Sequence, residues 1–435
     1  MAQASDTTPA STAPPPRRPA YFFGWNIVGF AFAAQFVTMG TLFYAFGALL
    51  KPLSEALDAD RFEISIALSI QSLVAALAGP WVGRLVAERS IRVLMLAGAG
   101  LLLLGFLGMG QVRSIWQLYL TFGLVLGFAM AFAGPIPSNT LLANWFDRRR
   151  GMAFGIAGFG ISVSGTVVIP VTSWMVLEYG WREAVTSFGI VAFVAFAPLV
   201  WFFAVKRPED RGLLPDNADP GTETESEAGV QYPASARYWT FGRAIRDRRI
   251  WHLVLIIGTS FLGIGGALLA LHSHMTDIGL SPMQAASVMA VLTFTAALAK
   301  PLFGVTSDHL NKRLTMGISL CCQIAGLGLI MVVETQLALT LSAIVFGLGY
   351  GAVSPMWSVL LSAMFGREAF ARVMGITSPL TTPFMLGGMP FTTYIYETTG
   401  SYLPAFGVLI GGFAVSLAAL FLLRLPEERR PGEFA

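Results

Sequence analysis

Charge is scarce in this chain. Of 435 residues only 12% are Asp, Glu, Lys or Arg, against 55% hydrophobic. A water-soluble protein of this size needs about a quarter of its residues charged, so a soluble globular fold is excluded. Histidine and cysteine are scarcer still. The four histidines stand in no metal-ligand spacing. The two cysteines, Cys321 and Cys322, are neighbours inside an apolar run, which fits packing rather than a disulfide or a metal pair. No metal and no cofactor is expected. A net charge of +3, spread over short loops, gives no footing for a nucleic-acid partner. No His-Glu-x-x-His or Gly-x-Ser-x-Gly element lies in an apolar run, so the chain does not read as an enzyme.

What is abundant is long apolar sequence. Runs of 18 residues or more each suffice to cross a bilayer as a helix. Such spans fall at 22–50, 62–86, 92–110, 114–143, 151–177 and 183–205, and again at 250–276, 282–307, 314–333, 336–364, 369–396 and 401–424. The expected fold is an all-α membrane protein of twelve transmembrane helices in two six-helix halves. Its parts are a tail at 1–21, an N-terminal half at 22–205, a polar central loop at 206–249, a C-terminal half at 250–424 and a tail at 425–435. The first 20 residues are rich in Ala, Ser, Thr and Pro and lack the layout of a signal peptide. Most Lys and Arg fall in the tails and the even-numbered loops, while the other side holds Lys51, Arg61, Arg113 and Arg182. That bias places both termini in the cytoplasm, with the protein in the plasma (cell inner) membrane.

Lys300 stands out as the lone basic residue inside a span. It lies eight residues before Asp308, where the chain turns polar, or about 12 Å along a helix rising ~1.5 Å per residue. A charge at that depth costs several kcal/mol unless it faces a cavity or a partner. It is read either as a cation for an anionic substrate or as a lysine snorkelling to the nearer interface.

The halves repeat. Gly79-Pro-Trp-Val-Gly-Arg-Leu-Val-Ala-Glu-Arg-Ser-Ile-Arg92 aligns without gaps on Lys300-Pro-Leu-Phe-Gly-Val-Thr-Ser-Asp-His-Leu-Asn-Lys-Arg313, pairing Pro80 with Pro301, Gly83 with Gly304 and Arg92 with Arg313. Gly180 and Gly400 precede the sixth and twelfth spans at nearly the same offset. An even number of spans per half makes these parallel repeats about an axis along the membrane normal, with the substrate path between them near the midplane. Lys300 takes the place of Gly79.

On these features the chain resembles the major facilitator superfamily over residues 22–424. The stretch Gly83-Arg-Leu-Val-Ala-Glu-Arg-Ser-Ile-Arg92 is similar to the family's Gly-x-Leu-x-Asp-Arg-x-Gly-Arg-Arg signature, with Ala87 and Ser90 as departures; the second copy keeps Asp308. Within the family it resembles the monocarboxylate transporter group and the related oxalate/formate exchangers. The run Asn144-Trp-Phe-Asp-Arg-Arg-Arg-Gly-Met-Ala-Phe-Gly-Ile-Ala-Gly158, the Gly180-Trp-Arg-Glu-Ala184 segment and Gly24-Trp25 carry that likeness. It implies that the basic residue on the eighth helix, usually within Ala-Arg-Pro and here within Ala299-Lys300-Pro301, binds the substrate carboxylate. An ammonium offers a point charge where arginine offers a planar fork. Ala296 stands where many members carry an aspartate implicated in proton coupling, and Tyr21-Phe-Phe23 replaces the acidic residue often found before the first Gly-Trp.

An aliphatic monocarboxylate needs a cation, a few donors for its oxygens and an apolar wall. The midspan residues that could supply them are Gln35, Tyr44, Ser138, Asn139, Tyr350, Ser354, Trp357 and Thr381, although Ser, Thr and Asn also bridge helices. No acidic residue lies at midspan, so a coupled proton would ride on His272, His274, Asp277 or Glu178, on the substrate acid, or on Lys300 itself. Gly83, Arg84, Glu88, Arg89 and Asp308, with Arg149 and Arg150, would latch one side of the protein, or act only as topogenic charge. The reading is a secondary transporter of small organic anions, of the lactate and pyruvate type and proton-coupled, working by alternating access. The alternatives are an oxalate/formate-type exchanger and, from another class, a membrane substrate sensor.

Overall fold

The computed structural model describes residues 21–218 and 238–423. The expected tails lie outside these residues, except for Tyr21. Apolar sequence with strong helix formers folds here into helices from end to end. We number them α1 Gly24–Leu57, α2 Arg61–Glu88, α3 Ile91–Gly110, α4 Ile115–Trp145, α5 Arg150–Tyr179 and α6 Trp181–Phe203. The second half has α7 Arg248–Asp277, α8 Pro282–His309 and α9 Lys312–Ile330. Next, Gln336–Thr399 runs as one hydrogen-bonded stretch broken at Gly366 (φ 71°, ψ 173°), giving α10 at 336–365 and α11 at 367–399. Leu403–Leu422 is α12. Twelve spans are therefore present among the described residues, and most exceed their expected bounds by a few residues of interfacial helix.

The turns are local chemistry. Gly180 (φ 86°) and Gly400 (φ 71°) link α5 to α6 and α11 to α12, a left-handed backbone that a side chain would strain. α2 begins in a reciprocal cap between Asp60 and Glu63, and α8 in one between Ser281 and Gln284. α1 carries a π-helical stretch at Gly40–Tyr44, and α4 breaks at Gly134, after which Pro135 starts the next turn. The flanks of the bundle are apolar and exposed, with Leu77, Leu104, Trp116 and Val194 all more than 60% accessible. This surface belongs in hydrocarbon, not water.

The apolar core divides unevenly along the bundle. On the side of the termini one buried cluster runs through both halves, from Ile27, Val82 and Phe146 to Leu253, Phe303 and Phe370. On the opposite side there are two clusters, one per half. Leu49, Phe106 and Phe122 belong to the first, and Leu271, Leu292 and Phe346 to the second. The halves are thus joined at one face and parted at the other.

Backbone contacts seal the joined face. A Cβ on Gly155 of α5 would fall 2.5 Å from the Lys300 carbonyl of α8, and one on Gly151 would fall 2.2 Å from that of Gly304. On the other side of the axis, a Cβ on Gly375 of α11 would fall 2.2 Å from the Gly79 carbonyl of α2, and one on Gly83 would fall 2.3 Å from that of Ala371. Lipid gives no hydrophobic drive between helices, so close approach of small residues supplies the dispersion that holds them. The two seams pair the same repeat positions that align in the sequence.

The central segment contributes more than a loop. After α6, Lys206 donates to the carbonyls of Ala87 (2.7 Å) and Arg89 (3.2 Å) at the end of α2; burial, then Arg207 beside it, pushes its ammonium below the usual lysine range. Asp216 accepts the N–H groups of Asp147 and Arg148. Before α7, Trp239 is 2% exposed in the shared cluster, edge-on to Phe365.

Candidate functional site

Lys300 is 6% exposed, and its side chain reaches away from the joined face. Its backbone crosses α5 at Gly155, its Cδ lies 3.6 Å from where a Cβ of Gly158 would stand, and Nζ donates to Ser162 Oγ. The side chain therefore runs toward the middle of α5, opposite to the direction in which snorkelling would carry it. No acidic side chain among the described residues pairs with it.

Other predicted residues gather at the same level. The Tyr44 ring packs on Gly165 of α5, 3.0 Å from where its Cβ would be. Gly165 is three residues past Ser162, about 4.5 Å of rise. The π-helical turn of α1 ends at Tyr44, and such turns recur at functional positions. Tyr350 of α10 precedes Gly351, where an added Cβ would fall 2.1 Å from the Ala296 carbonyl of α8, about one turn from Lys300. Lys300, Ser162, Tyr44 and Tyr350 thus converge from α8, α5, α1 and α10. They stand where the shared core ends and the parted clusters begin, for Tyr350 packs against both the shared cluster and the outer one of its half.

A second polar group forms a floor. Gln35 Nε2 donates to Asn139 Oδ1 (2.8 Å) and to Ser138 Oγ (3.4 Å), and Asn139 Nδ2 donates to Ser358 Oγ of the other half (3.1 Å). All four are buried. The Ser138 hydroxyl donates to the Gly134 carbonyl (3.0 Å) at the α4 break, so it caps that break rather than facing the site. Thr381 donates to its own helix at Thr377. Ser354 is half-buried and makes no hydrogen bond among the described residues. Trp357 packs edge-on against Phe261, and its buried Nε1 has no hydrogen-bond partner among the described residues.

The titrating candidates do not join this group. His274 is buried against Phe406 in the outer part of the C-terminal half. His272 and Asp277 are on the same last turns of α7, and Glu178 is exposed at the end of α5.

Toward the termini, both halves are tied by charge. Asp308 accepts the N–H groups of Gly151 (2.7 Å) and Met152 (2.8 Å) in the first turn of α5, where donors are unsatisfied and the helix dipole favours an anion. On the other side Arg372 of α11 pairs with Glu88 and reaches the Trp239 carbonyl (3.5 Å). Glu88 also pairs with Arg84 (3.2 Å). The departure at Ala87 is met by the next residue, Glu88. Glu209 and Arg367 add an ion pair between halves at 2.8 Å. Arg150 donates to the Phe146 carbonyl and pairs with Asp147, within the first half. Arg89 and Arg149 make no side-chain contact of this kind among the described residues.

Lys300 is not the lone basic residue within a span. Arg372 lies inside α11 at 7% exposure, three residues into the span expected at 369–396. Ser162, Ser358 and Arg372 were missed. Ser162 stands at midspan on the face of α5 that carries Gly151, Gly155 and Gly158, a signal present in the sequence. Two cavities lie away from this group, one of about 350 Å³ beside Arg113 and Arg182 and one of about 40 Å³ beside Lys206 and Arg367.

A sequence model of the family described as Major Facilitator Superfamily matches residues 30–271 and 253–435. Monocarboxylate transporter 2 of Homo sapiens is 25% identical over 414 residues, covering 91% of this chain and 84% of that protein. Among solved structures, the proton:xylose symporter XylE bound to 6-bromo-6-deoxy-D-glucose superposes with a TM-score of 0.75 at 13% identity, over 93% of this chain and 97% of that one. The human organic anion transporter MFSD10 (TETRAN) superposes with a TM-score of 0.70 at 15% identity, over 91% and 99%.

Proposed function

The chain belongs to the Major Facilitator Superfamily as a multi-pass membrane transporter, and on that premise we propose that it carries small monocarboxylates of the lactate and pyruvate type. The observation that supports this best is the Lys300 ammonium, buried without an acidic partner among the described residues and turned toward the middle of the bundle. Such a charge is costly unless an anion comes to it. The Tyr44 ring packs on Gly165, about one turn beyond Ser162, and the buried indole N–H of Trp357 is a donor with no partner among the described residues. Relatives named as monocarboxylate transporters support the same substrate class.

The mechanism follows from the joined and parted faces. The charge bias puts both termini in the cytoplasm of a cell whose inner membrane holds the protein, so the parted face is external and the structure is outward-facing. A carboxylate entering from outside meets Lys300, and their mutual neutralisation lowers the cost of enclosing either charge. The halves then rock about the site. The Asn139–Ser358 bond, the Asp308 cap on α5 and the Glu88–Arg372 pair part to open the cytoplasmic side. A proton accompanies the anion, so that uptake is electroneutral.

Anion exchange is the second reading. It is favoured by the buried polar residues, which include no Asp or Glu among the described residues, leaving no carboxylate in the core to carry a proton. Uptake of labelled lactate, pyruvate, formate and oxalate into proteoliposomes separates the two. Symport requires uptake stimulated by an inward proton gradient and abolished in Lys300→Ala. Uptake that ignores the gradient but needs an internal anion moves exchange to first place. Normal uptake by Lys300→Ala refutes both.

A further inference from the structure

Ser162 has hydrogen-bonding capacity left over. A hydroxyl carries one proton and two lone pairs, and an ammonium carries donors only. Because Lys300 Nζ donates to Ser162 Oγ, the Ser162 proton points away from Nζ. On the same helix, Ser164 and Thr172 spend their protons on carbonyls of the preceding turn, at 2.7 Å each. Ser162 has no such acceptor among the described residues. It is half-buried, one turn below the Tyr44 ring on Gly165.

We infer that Ser162 is the second ligand of the carboxylate. One substrate oxygen takes a hydrogen bond from Lys300 Nζ in the C-terminal half, and the other takes one from the Ser162 hydroxyl in the N-terminal half. A lysine alone is a point charge with little sense of direction. Adjacent ammonium and hydroxyl donors supply two points for the two oxygens of a planar carboxylate, as a bidentate partner does. The bound anion is then held by both halves, and the existing contact between them becomes part of the site. This inference rests on the reading of Lys300 as the anion site.

The test compares equilibrium binding and counterflow of lactate, acetate and formate by the purified full chain. Ser162→Ala raises Kd and KM roughly tenfold to a hundredfold, the loss expected for one hydrogen bond to a charged group. The factor is the same for all three anions because they share only the headgroup, and the maximal counterflow rate stays within about threefold. Ser162→Thr, which keeps the hydroxyl, restores affinity. Ser162→Cys keeps the volume with a weak donor, so it behaves as Ser162→Ala does, and it decides the matter if the alanine variant does not fold. Unchanged KM in the alanine and cysteine variants, equal losses in all three variants, or a loss confined to the maximal rate would each overturn the proposal. Binding that survives Ser162→Ala but not Lys300→Ala sinks this inference alone. Binding that survives Lys300→Ala, or no carboxylate binding by the wild type, sinks the reading beneath it.

Discussion

Under the proposed function, Lys300 is a residue where function and stability pull apart. Its ammonium is buried and, among the described residues, donates to one hydroxyl, a state that costs free energy while no anion is beside it. Lys300→Met keeps the stem and removes the charge. It is expected to raise the melting temperature of the ligand-free protein by about one degree for each kcal/mol gained, with a gain of about 1 kcal/mol or more, while abolishing carboxylate uptake. A lower melting temperature would show that the ammonium is a structural tie. Asp308 and Glu88 work differently, for each joins the halves at the face of the termini. Asp308→Asn and Glu88→Gln each remove roughly 1–2 kcal/mol from that closed face. Each should shift the ratio of outward- to inward-facing protein about 5- to 30-fold toward inward. Equal accessibility of engineered cysteines in wild type and both variants would leave these residues as topogenic charge only.

At the scale of helices, the two glycine seams set how closely the halves approach. α5 lies on α8 through Gly151 and Gly155, and α11 lies on α2 through Ala371 and Gly375, in each case with backbone meeting backbone. Backbone has no rotamer by which to yield, so an added side chain must push the helices apart. Gly155→Val and Gly375→Val should therefore widen the face of the termini by an ångström or more (order of magnitude from the packing of side chains in grooves). Spin-label distances across that face read the change. The corresponding change at Gly100, which has nothing within 4 Å of its added Cβ, should leave the distance unaltered. If the seam variants keep the wild-type distance, the glycines do not set the approach. The segment 238–247 is another element at this face, with Trp239 seated beneath α10 and Asp247 capping α7 through Arg249.

For the whole molecule, the division of the core makes a statement about state. One cluster joins the halves on the side of the termini, and two separate clusters stand on the other. A cysteine placed at Tyr350 should react with a membrane-impermeant thiol reagent applied to the face opposite the termini, and react at least tenfold more slowly (one decade being about 1.4 kcal/mol of population) from the other face. Cys321 and Cys322, exposed and half-buried on α9, must first be replaced. The opposite asymmetry would mean that the resting state in a bilayer is inward-facing. By itself the sequence determined the twelve apolar spans, the two-fold repeat and the depth of Lys300, because each rests on composition, period or spacing along one chain. It also carried the acid at Asp308, since the signature is local. Tertiary structure alone decided which way the Lys300 side chain turns, that Ser162 receives it, that Gln35, Asn139 and Ser358 close a floor, and that Glu88 finds Arg372. Those are contacts between helices distant in sequence, and their partners are chosen by how two six-helix halves lean on each other, which no single span records.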